Sequence, residues 1–414
     1  MTQTLHPKSA VFFVLIAVMI NAVSFGLMIP VLPDLLKELS GLDNSQAVIY
    51  GGWLTFIYAL MQFIFMPFIG ALSDRYGRRP IMLLSLLGLS IDYFIMALAP
   101  TIAFLFLGRI FAGIFGATFS TANAYMADIS PPEKRAQNFA LVGAVFGVGF
   151  MIGPVIGGVL GDYGPRIPFL AAGIVGLINV ALGVICLPET LTRENRRAFE
   201  WARANPLGAI RQIRKLKGAL SILMVMFLLA LAHTAYPTTY TFSMNEGLNW
   251  NSRDVGLSLG AFGFASLIVQ GGLIRIIIPK IGLFWAAAFG ILSFILAFMG
   301  FGFARAGWVI YAMGIFAAFA GLYGPSLNNM MSSRLGKSEQ GELQGAIGAM
   351  QGLAMMAGPL MMTNIFKHFT QDGAPLYLPG APFVFGAGLS MIGLLILFIT
   401  TTKDERKNRI THPS

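Results

Sequence analysis

Cysteine and charged side chains are both scarce in this chain of 414 residues. Its single cysteine, Cys186, excludes an intramolecular disulfide and any metal cluster built from cysteines. Charged residues make up 11% of the chain, against about 25% in an ordinary soluble domain. Hydrophobic residues make up 56%, more than a soluble protein of this size can hide. The composition therefore excludes a soluble enzyme, a soluble nucleic-acid-binding protein and a small disulfide-stabilised domain.

Long apolar runs are what the chain has in abundance. About 20 predominantly apolar residues are enough to cross the hydrocarbon core of a bilayer. Twelve such runs are predicted: 9–31, 48–70, 81–99, 102–125, 137–160, 167–187, 219–242, 255–275, 281–303, 307–328, 342–364 and 381–402. The sequence therefore predicts an all-α polytopic membrane protein with twelve transmembrane helices in two pseudo-symmetric six-helix bundles.

Basic residues predict the orientation of these helices. Of the 28 Lys and Arg residues, 22 lie in the two terminal segments and the loops on the same side. Arg109 lies within a span, and the loops on the other side hold only five: Lys37, Arg166, Arg253, Arg305 and Lys367. Because loops rich in Lys and Arg stay in the cytoplasm, both termini are predicted to be cytoplasmic. This distribution also accounts for the net charge of +10 without a nucleic-acid partner.

The longest break between apolar runs predicts the domain organisation. Residues 188–218 contain eight Lys and Arg residues and separate six spans from six. The predicted domains are an N-terminal bundle 1–187, a basic cytoplasmic linker 188–218, a C-terminal bundle 219–402 and a cytoplasmic tail 403–414. Two six-helix halves are typical of secondary transporters, which bind a small molecule near the middle of the bilayer.

The segment Gly70–Pro80 carries an acid, Asp74, between two glycines at the end of a predicted helix. An ordinary cytoplasmic loop explains its positive charge, but it does not explain the acid. Asp74 can pair with an arginine or with the N-terminus of a neighbouring helix, and contacts that exist in only one conformation can form a gate. Asp128 is expected to meet this loop. The predicted gating set is Gly70, Asp74, Arg75, Gly77, Arg78, Arg79, Asp128 and Arg135.

In the form Ser73-Asp-Arg-Tyr-Gly-Arg-Arg-Pro80 this segment resembles the signature loop of major facilitator superfamily transporters, and specifically that of the tetracycline-efflux carriers. Further segments resemble the same carriers: Gly26–Pro33, Tyr58–Gln62, Ile91–Tyr93, Leu107–Arg109, Gly113–Ala117, Ala127–Asp128, Trp250–Ser252 and Gln340–Gly345. The resemblance implies export of a small amphipathic drug in exchange for protons across the bacterial inner membrane. It implies a monomer that uses the proton gradient and no cofactor, with a substrate able to arrive as a metal chelate.

The fifth span carries glycines at four-residue spacing, which places them on one helix face. Such a stripe lets two helices pack closely in a membrane. The resemblance adds that this is the antiporter signature of drug–proton exchangers, where tight packing seals one conformation. The set is Gly149, Gly153, Pro154, Gly157 and Gly158.

Ionisable residues inside the membrane are costly, at roughly 2.5 kcal/mol or more each, and therefore mark functional candidates. Asp92 and Arg109 both fall about 10 Å below the same predicted surface, on consecutive antiparallel spans. One interpretation is an ion pair that fixes helix register. The other is that Asp92 gains and loses the transported proton while Arg109 tunes it. Asp34 is the second, weaker candidate acid.

Uncharged polar residues within the spans are candidates for the substrate cavity, although such residues can also tie helices together. The set is Asn21, Gln62, Asn123, His233, Gln270, Asn328, Asn329 and Gln351. The tetracycline carriers have an Asp at the position of Asn21, a His at that of Ser266 and an acid in the ninth helix, whereas residues 276–304 here contain none. These departures point to Asp92 as the main proton carrier and to a different amphipathic substrate.

Three alternatives remain open from the sequence. The 22 methionines, among them Met355 and Met362 at seven-residue spacing, are compatible with Cu(I) transport, although methionine more often packs mobile interfaces. An importer of a nutrient or metal would use the same fold, and a receptor would bind without transport. An enzyme is not expected, because the spans contain no histidine pair, no nucleophile with a base and no metal-ligand spacing. No metal site is predicted.

Overall fold

The computed structural model describes residues 7–116, 118–197, 219–336 and 339–411. Within these ranges the chain forms helices and connecting turns, with no strand. A lipid environment requires this, because each backbone N–H and C=O must find a partner within the chain. The predicted all-α class is confirmed.

The first half contributes six helical spans, the fourth of which is made of two consecutive helices. Their bounds are Pro7–Met28, Asn44–Tyr76, Arg78–Leu98, Ile102–Phe115 continued by Thr118–Ile129, Pro132–Gly161 and Ile167–Cys186. A short helix, Leu32–Ser40, follows the first span, and a 3₁₀ turn, Arg193–Asn195, follows the sixth.

The second half contributes the remaining helices. Their bounds are Leu220–His233 continued by Ala235–Leu248, Ser252–Ile268 continued by a π-helix at Val269–Leu273, Ile274–Phe303, Gly307–Phe319 continued through a 3₁₀ turn at Ala320–Leu322 by Tyr323–Ser332, Gln340–Thr370 and Ala381–Thr411.

Eleven helical runs in the described residues are long and apolar enough to cross a membrane. One of these runs consists of two helices joined end to end across a kink. This run, Ser252–Phe303, has 52 residues and would extend about 78 Å as a single helix, more than twice the bilayer core. Gly282 interrupts it with φ 80° and ψ 164°, a conformation open to glycine. The run therefore crosses twice, and the predicted number of twelve spans holds.

Local residues decide where the second span begins and ends. Asp43 precedes it, and the Asp43 carboxylate accepts a hydrogen bond from the Gln46 backbone N–H at 3.0 Å, which satisfies a free donor at the helix start. Gly77 follows it with φ 115°, and the third span starts at Arg78. The chain therefore turns between the two spans within a single residue.

The first compact unit comprises Met1–Pro206 together with Trp250–Gly263. Its buried core includes Val14, Met82, Tyr125 and Val142, which come from four different spans. The first and fifth spans have the most extensive contact with each other. This unit holds all the charged candidates for proton coupling and gating.

The second compact unit comprises Leu207–Asn249 and Phe264–Ser414. Its interior is aromatic: the ring centroids of Tyr240, Phe298 and Phe301 lie 5.3 to 6.2 Å from that of Phe383. The division differs from a cut at the linker because 250–263 packs with the first unit. Most of the predicted linker lies outside the described residues, and the predicted domain boundaries stay a prediction.

Candidate functional site

A buried ion pair joins the third and fourth spans. Arg109 Nη2 donates to Asp92 Oδ2, and the two side chains are 7% and 1% exposed. Gly108 makes room for the carboxylate, since a Cβ there would lie 2.6 Å from Asp92 Oδ1. The two charges that the sequence placed at one depth are thus in direct contact, out of reach of solvent.

The ion pair does not satisfy all the hydrogen-bonding atoms of its two side chains. Asp92 Oδ1 and Arg109 Nε are buried and have no hydrogen-bond partner within the described chain. Arg109 also points Nη1 at the Met28 sulfur at 3.4 Å and lies over the Tyr58 ring, 5.9 Å from its centroid. A buried ion with incomplete hydrogen bonding is poised to change its protonation or its partner, because each unsatisfied atom raises its energy.

Tyr58 connects this pair to a candidate cavity residue. Gln62 lies one turn further along the second span and donates to Tyr58 Oη at 3.2 Å and to the Gly116 carbonyl at 3.0 Å. Gln62, Tyr58 and Arg109 are therefore consecutive contacts leading to Asp92. Tyr58 and Met28 have no role predicted from the sequence; the i,i+4 spacing of Tyr58 and Gln62 is the only pattern that links Tyr58 to a candidate residue.

The gating loop is organised around Arg78. Its guanidinium contacts Asp74 at 2.6 Å and Asp128 at 3.1 Å, and only 14% of the Arg78 side chain is exposed. Asp128 thus meets the loop through Arg78, as expected. One cation between two carboxylates is an arrangement that a small helix movement can break.

Glu189, just beyond the sixth span, is a further member that sequence reasoning missed. Its carboxylate accepts from the Arg78 backbone N–H at 2.9 Å, at the N-terminus of the third span. It fits directly against Gly77, where any Cβ would collide with Glu189 Oε2. Thr190 Oγ1 adds a contact to Asp128 at 3.3 Å. It is one of three glutamates in the basic segment 188–218, so the sequence does not single it out.

The other predicted gating residues lie around this cluster without joining its ion pairs. Arg79 Nη2 donates to the Val184 carbonyl at 2.6 Å, and Arg135 Nη2 donates to the Ala127 carbonyl at 3.1 Å. Arg75 stacks on Tyr76 at 5.2 Å. At Gly70 a Cβ would meet nothing within 4 Å among the described residues, so no other helix packs closely on this glycine.

The glycine stripe of the fifth span packs on the first span. A Cβ at Gly149 or Gly153 would lie 2.5 Å from the carbonyl oxygen of Met19 or Val23, and Gly157 meets Leu27 in the same way. Pro154 reaches Gly26, where a Cβ would lie 2.7 Å from the proline Cδ. The opposite side is equally close: Gly158 packs on Ser252 and Gly256 within the same unit.

Asp34 lies in the short helix after the first span. Its carboxylate accepts from Ser252 Oγ at 2.6 Å and contacts Lys37 Nζ at 2.8 Å, and the Asp34 side chain is one-third exposed. Its partners are therefore different from those of Asp92. A proton-coupling role for Asp34 stays a prediction.

Comparison with known proteins matches residues 14–359 to the Major Facilitator Superfamily. The chain belongs to the major facilitator superfamily. It is 37% identical over 383 residues to the tetracycline resistance protein, class C, of Escherichia coli, covering 91% of this chain and 96% of that protein. It is 33% identical to the class H protein of Pasteurella multocida, covering 98% of this chain and 100% of that protein.

Solved structures of the superfamily have the same fold. The human organic anion transporter MFSD10 is 23% identical, with a TM-score of 0.71 over 95% of this chain and 100% of that one. The nucleoside transporter NupG is 14% identical, with a TM-score of 0.77 over 95% and 99%. Membership of this superfamily shows that the chain is a multi-pass membrane transporter with a small-molecule substrate.

In the second unit of this superfamily member, His233 sits within an aromatic cluster. Its ring lies 6.4 Å from Tyr236 and 6.3 Å from Phe294, and Phe294 lies 5.9 Å from Tyr323. His233 is exposed, whereas its chain neighbours Ala232 and Thr234 are buried. Stacking therefore holds the imidazole with one side accessible.

Gln270 coincides with an irregular helix. It lies in the π-helix Val269–Leu273, a form that appears mostly as single turns and often at functional sites. The side chain is exposed and lies beside Gly321, where a Cβ would be 3.0 Å from Gln270 Cγ. In the sequence, the adjacent glycines at 271 and 272 are the feature that indicates an irregular helix at this point.

The remaining cavity candidates are dispersed. Asn21 and Asn123 in the first unit are half-buried. In the second unit Asn328 accepts from Gln344 at 3.2 Å, while Asn329 and Gln351 are exposed. Their assignment to a cavity stays a prediction.

The methionine alternative gains nothing from the structure. Met362 is fully buried, whereas Met355 is 37% exposed, so the two do not present one accessible pair of thioethers. Among the described residues no group of three or more His, Cys, Asp or Glu could hold a metal.

Proposed function

We propose that this transporter exports a small amphipathic drug of the tetracycline type in exchange for protons. It would do so across the bacterial inner membrane as a monomer, with both termini in the cytoplasm. The buried Asp92–Arg109 pair carries the proposal, because it is a membrane-embedded group that can exist in charged and neutral states. Identities of 32–37% to tetracycline resistance proteins support the substrate class.

The proton step uses the carboxylate of Asp92. A proton taken up on Asp92 gives a neutral acid and removes the charge that holds Arg109. Arg109 then rests on its other two contacts, the Met28 sulfur and the Tyr58 ring. Loss of the proton restores the ion pair. The two states differ in which groups hold the third and fourth spans together, which is a requirement for alternating access.

Substrate reaches this pair through Gln62. A ligand that hydrogen-bonds to Gln62 would compete with its contacts to Tyr58 and to the Gly116 carbonyl. Tyr58 is then free to shift, and Arg109, which lies over its ring, moves with it. Drug binding and proton release are thereby coupled, with Asp92 releasing its proton as Arg109 returns.

The aromatic cluster around His233 supports an aromatic substrate. A polar ring exposed to lipid at mid-span would be costly, so its accessible side is expected to face the polar path. Imidazole and phenyl faces of this kind stack on planar ring systems. The proton gradient is the proposed driving force, without a cofactor, and a drug chelated to a metal ion would be accepted as such.

Proton release from everted membrane vesicles tests the proposal. Addition of tetracycline, or of another aromatic amphipathic drug from a panel, should release protons from wild-type vesicles. Asp92→Asn should abolish the release, whereas Asp162→Asn, an exposed carboxylate 3.9 Å from Arg253, should preserve it. Retained release with Asp92→Asn would refute the role of Asp92.

The same vesicles separate the alternatives. Substrate-dependent proton movement in the opposite direction would indicate an importer. Binding of a drug without flux in proteoliposomes would indicate a receptor. Either result, with the protein verified in the membrane, would overturn drug–proton antiport.

A further inference from the structure

A cavity of about 310 Å³ opens in the second unit, and none of the candidate residues for proton coupling, gating or substrate binding lines it. Three chain segments form it: the last turns of the helix Ala235–Leu248, the end of the helix Ile274–Phe303 with the residues after it, and the residues just before the last helix. These segments all lie on the face predicted to be outside the cytoplasm. Its polar lining residues include Glu246, Arg305 and Tyr377.

The cavity is held together by specific contacts. Tyr377 Oη donates to Glu246 Oε1 at 2.6 Å, and Ser243 Oγ donates to the Pro379 carbonyl at 2.8 Å. Gly380 packs directly on the Gly302 backbone, which leaves no room for a Cβ. The walls are thus tied from one segment to the next, and the carboxylate is fixed in position.

Tyr377 remains a neutral hydrogen-bond donor. Desolvation and the hydrogen bond to the Glu246 carboxylate raise the pKa of Tyr377 to about 12. The phenol therefore stays protonated at any physiological pH and keeps Glu246 aligned on the cavity.

Arg305 supplies the opposite charge. It is exposed, and within the described residues its guanidinium takes part in no hydrogen bond or ion pair. The same cavity therefore presents a positioned carboxylate and an accessible guanidinium. A guanidinium fork matches a phosphate, and a carboxylate matches an ammonium group. A ligand that carries both charges complements this lining.

The surroundings indicate the depth of the cavity in the membrane. Phe303 and Trp308, on either side of Arg305 in the chain, are 55% and 73% exposed, and Leu376 and Tyr377 are each 57% exposed. Exposed aromatic residues at the ends of spans lie at the level of lipid headgroups. A ligand at this level can extend apolar chains along the protein while its charges enter the cavity.

We propose that this cavity binds the headgroup of an ethanolamine phospholipid from the outer leaflet. The ammonium group contacts Glu246, the phosphate contacts Arg305, and the acyl chains lie along Phe303 and Trp308. A primary ammonium suits the carboxylate because it donates hydrogen bonds, which a trimethylated ammonium cannot. The site is independent of the transported substrate and of proton coupling.

Lipid binding to the purified full-length protein tests this. In native mass spectrometry from detergent, phosphatidylethanolamine should bind more tightly than phosphatidylglycerol or phosphatidylcholine of the same chain length. Arg305→Gln and Glu246→Gln should each weaken that binding about tenfold, the effect expected for one charge-assisted contact. Arg253→Gln, an exposed arginine in the first unit, should leave it unchanged.

Three outcomes would overturn the proposal. The first is equal binding of the three lipids, and the second is unchanged phosphatidylethanolamine binding in both variants. The third is binding of soluble glycerophosphoethanolamine as tightly as of the lipid, which would assign the cavity to a soluble zwitterion. Tyr377→Phe keeps the ring and removes the donor, so it should weaken phosphatidylethanolamine binding less than Glu246→Gln. Thermal unfolding of each variant verifies its fold.

Discussion

The two compact units treat polar groups inside the membrane in different ways. The first holds them as ions in direct contact, with Arg109 on Asp92 and a stripe of glycines packed on backbone. The second surrounds a histidine with aromatic rings, and residues 276–304 contain no acid at all. Under the proposed function, the first unit would carry the protons through Asp92, and the second would add an aromatic surface for the drug.

Disruption of the buried Asp92–Arg109 pair in the first unit should give the largest loss of stability. Arg109→Gln leaves the Asp92 carboxylate buried without its cation, and removal of one partner of a buried pair costs about 3–5 kcal/mol. Chemical unfolding in detergent should show that loss. The double variant Asp92→Asn with Arg109→Gln should recover most of the stability but none of the proton release. If the double variant is as unstable as Arg109→Gln, the pair is not the source of the effect.

Next in size is the packing of the glycine stripe. Gly157→Ala places a Cβ against the Leu27 backbone, and overpacking of this kind costs about 1–3 kcal/mol. The matched change in the second unit, Gly388→Ala, meets nothing within 4 Å and should be neutral. Thermal unfolding of both variants measures the difference. Equal effects would show that the close contact of Gly157 with the first span does not contribute to stability.

The aromatic cluster should give a smaller effect, confined to substrate. His233→Ala removes one stacking surface worth about 0.5–1.5 kcal/mol, so the apparent KM for an aromatic drug should rise about two- to tenfold. The maximal rate of proton release should change little, because the Asp92 pair is intact. A fall in the maximal rate with unchanged KM would place His233 in proton coupling instead.

The smallest effect is expected at the gating loop. Glu189→Gln keeps the hydrogen bond to the Arg78 backbone N–H but removes the charge at that helix N-terminus, a loss of about 0.3–1 kcal/mol. The initial rate of transport should change about two- to fivefold. Glu194→Gln, an exposed acid in the nearby 3₁₀ turn, is the control and should have no effect.

Most of the fold could be predicted from the sequence, because twenty apolar residues in a row have few alternatives to a membrane helix. The helices differ from the predicted runs in detail: an extra short helix, Leu32–Ser40, follows the first span, and the run Ser252–Phe303 is interrupted only at Gly282. The contact between Asp92 and Arg109 could also be anticipated, because two opposite charges at the same depth in the membrane attract each other strongly.

The rest of the site could not be predicted, because its residues belong to types that commonly occur in such positions without a functional role. Tyr58 is one of 11 tyrosines, and Glu189 lies in a polar loop where an acid is commonplace. Neither pattern says which neighbour it will contact. The lack of a close approach at Gly70 shows the same limit, because a glycine permits contact without requiring it.

The sequence by itself determined the number of spans, the superfamily signatures and the scarcity of membrane-embedded charge. Hydropathy and the cost of burying a charge act on each residue separately, so they can be read along the chain. The tertiary structure alone decided that Tyr58 lies under Arg109, that Glu189 sits on Gly77 and that Glu246, Arg305 and Tyr377 share one cavity. These are contacts between distant segments, and they depend on how the helices pack.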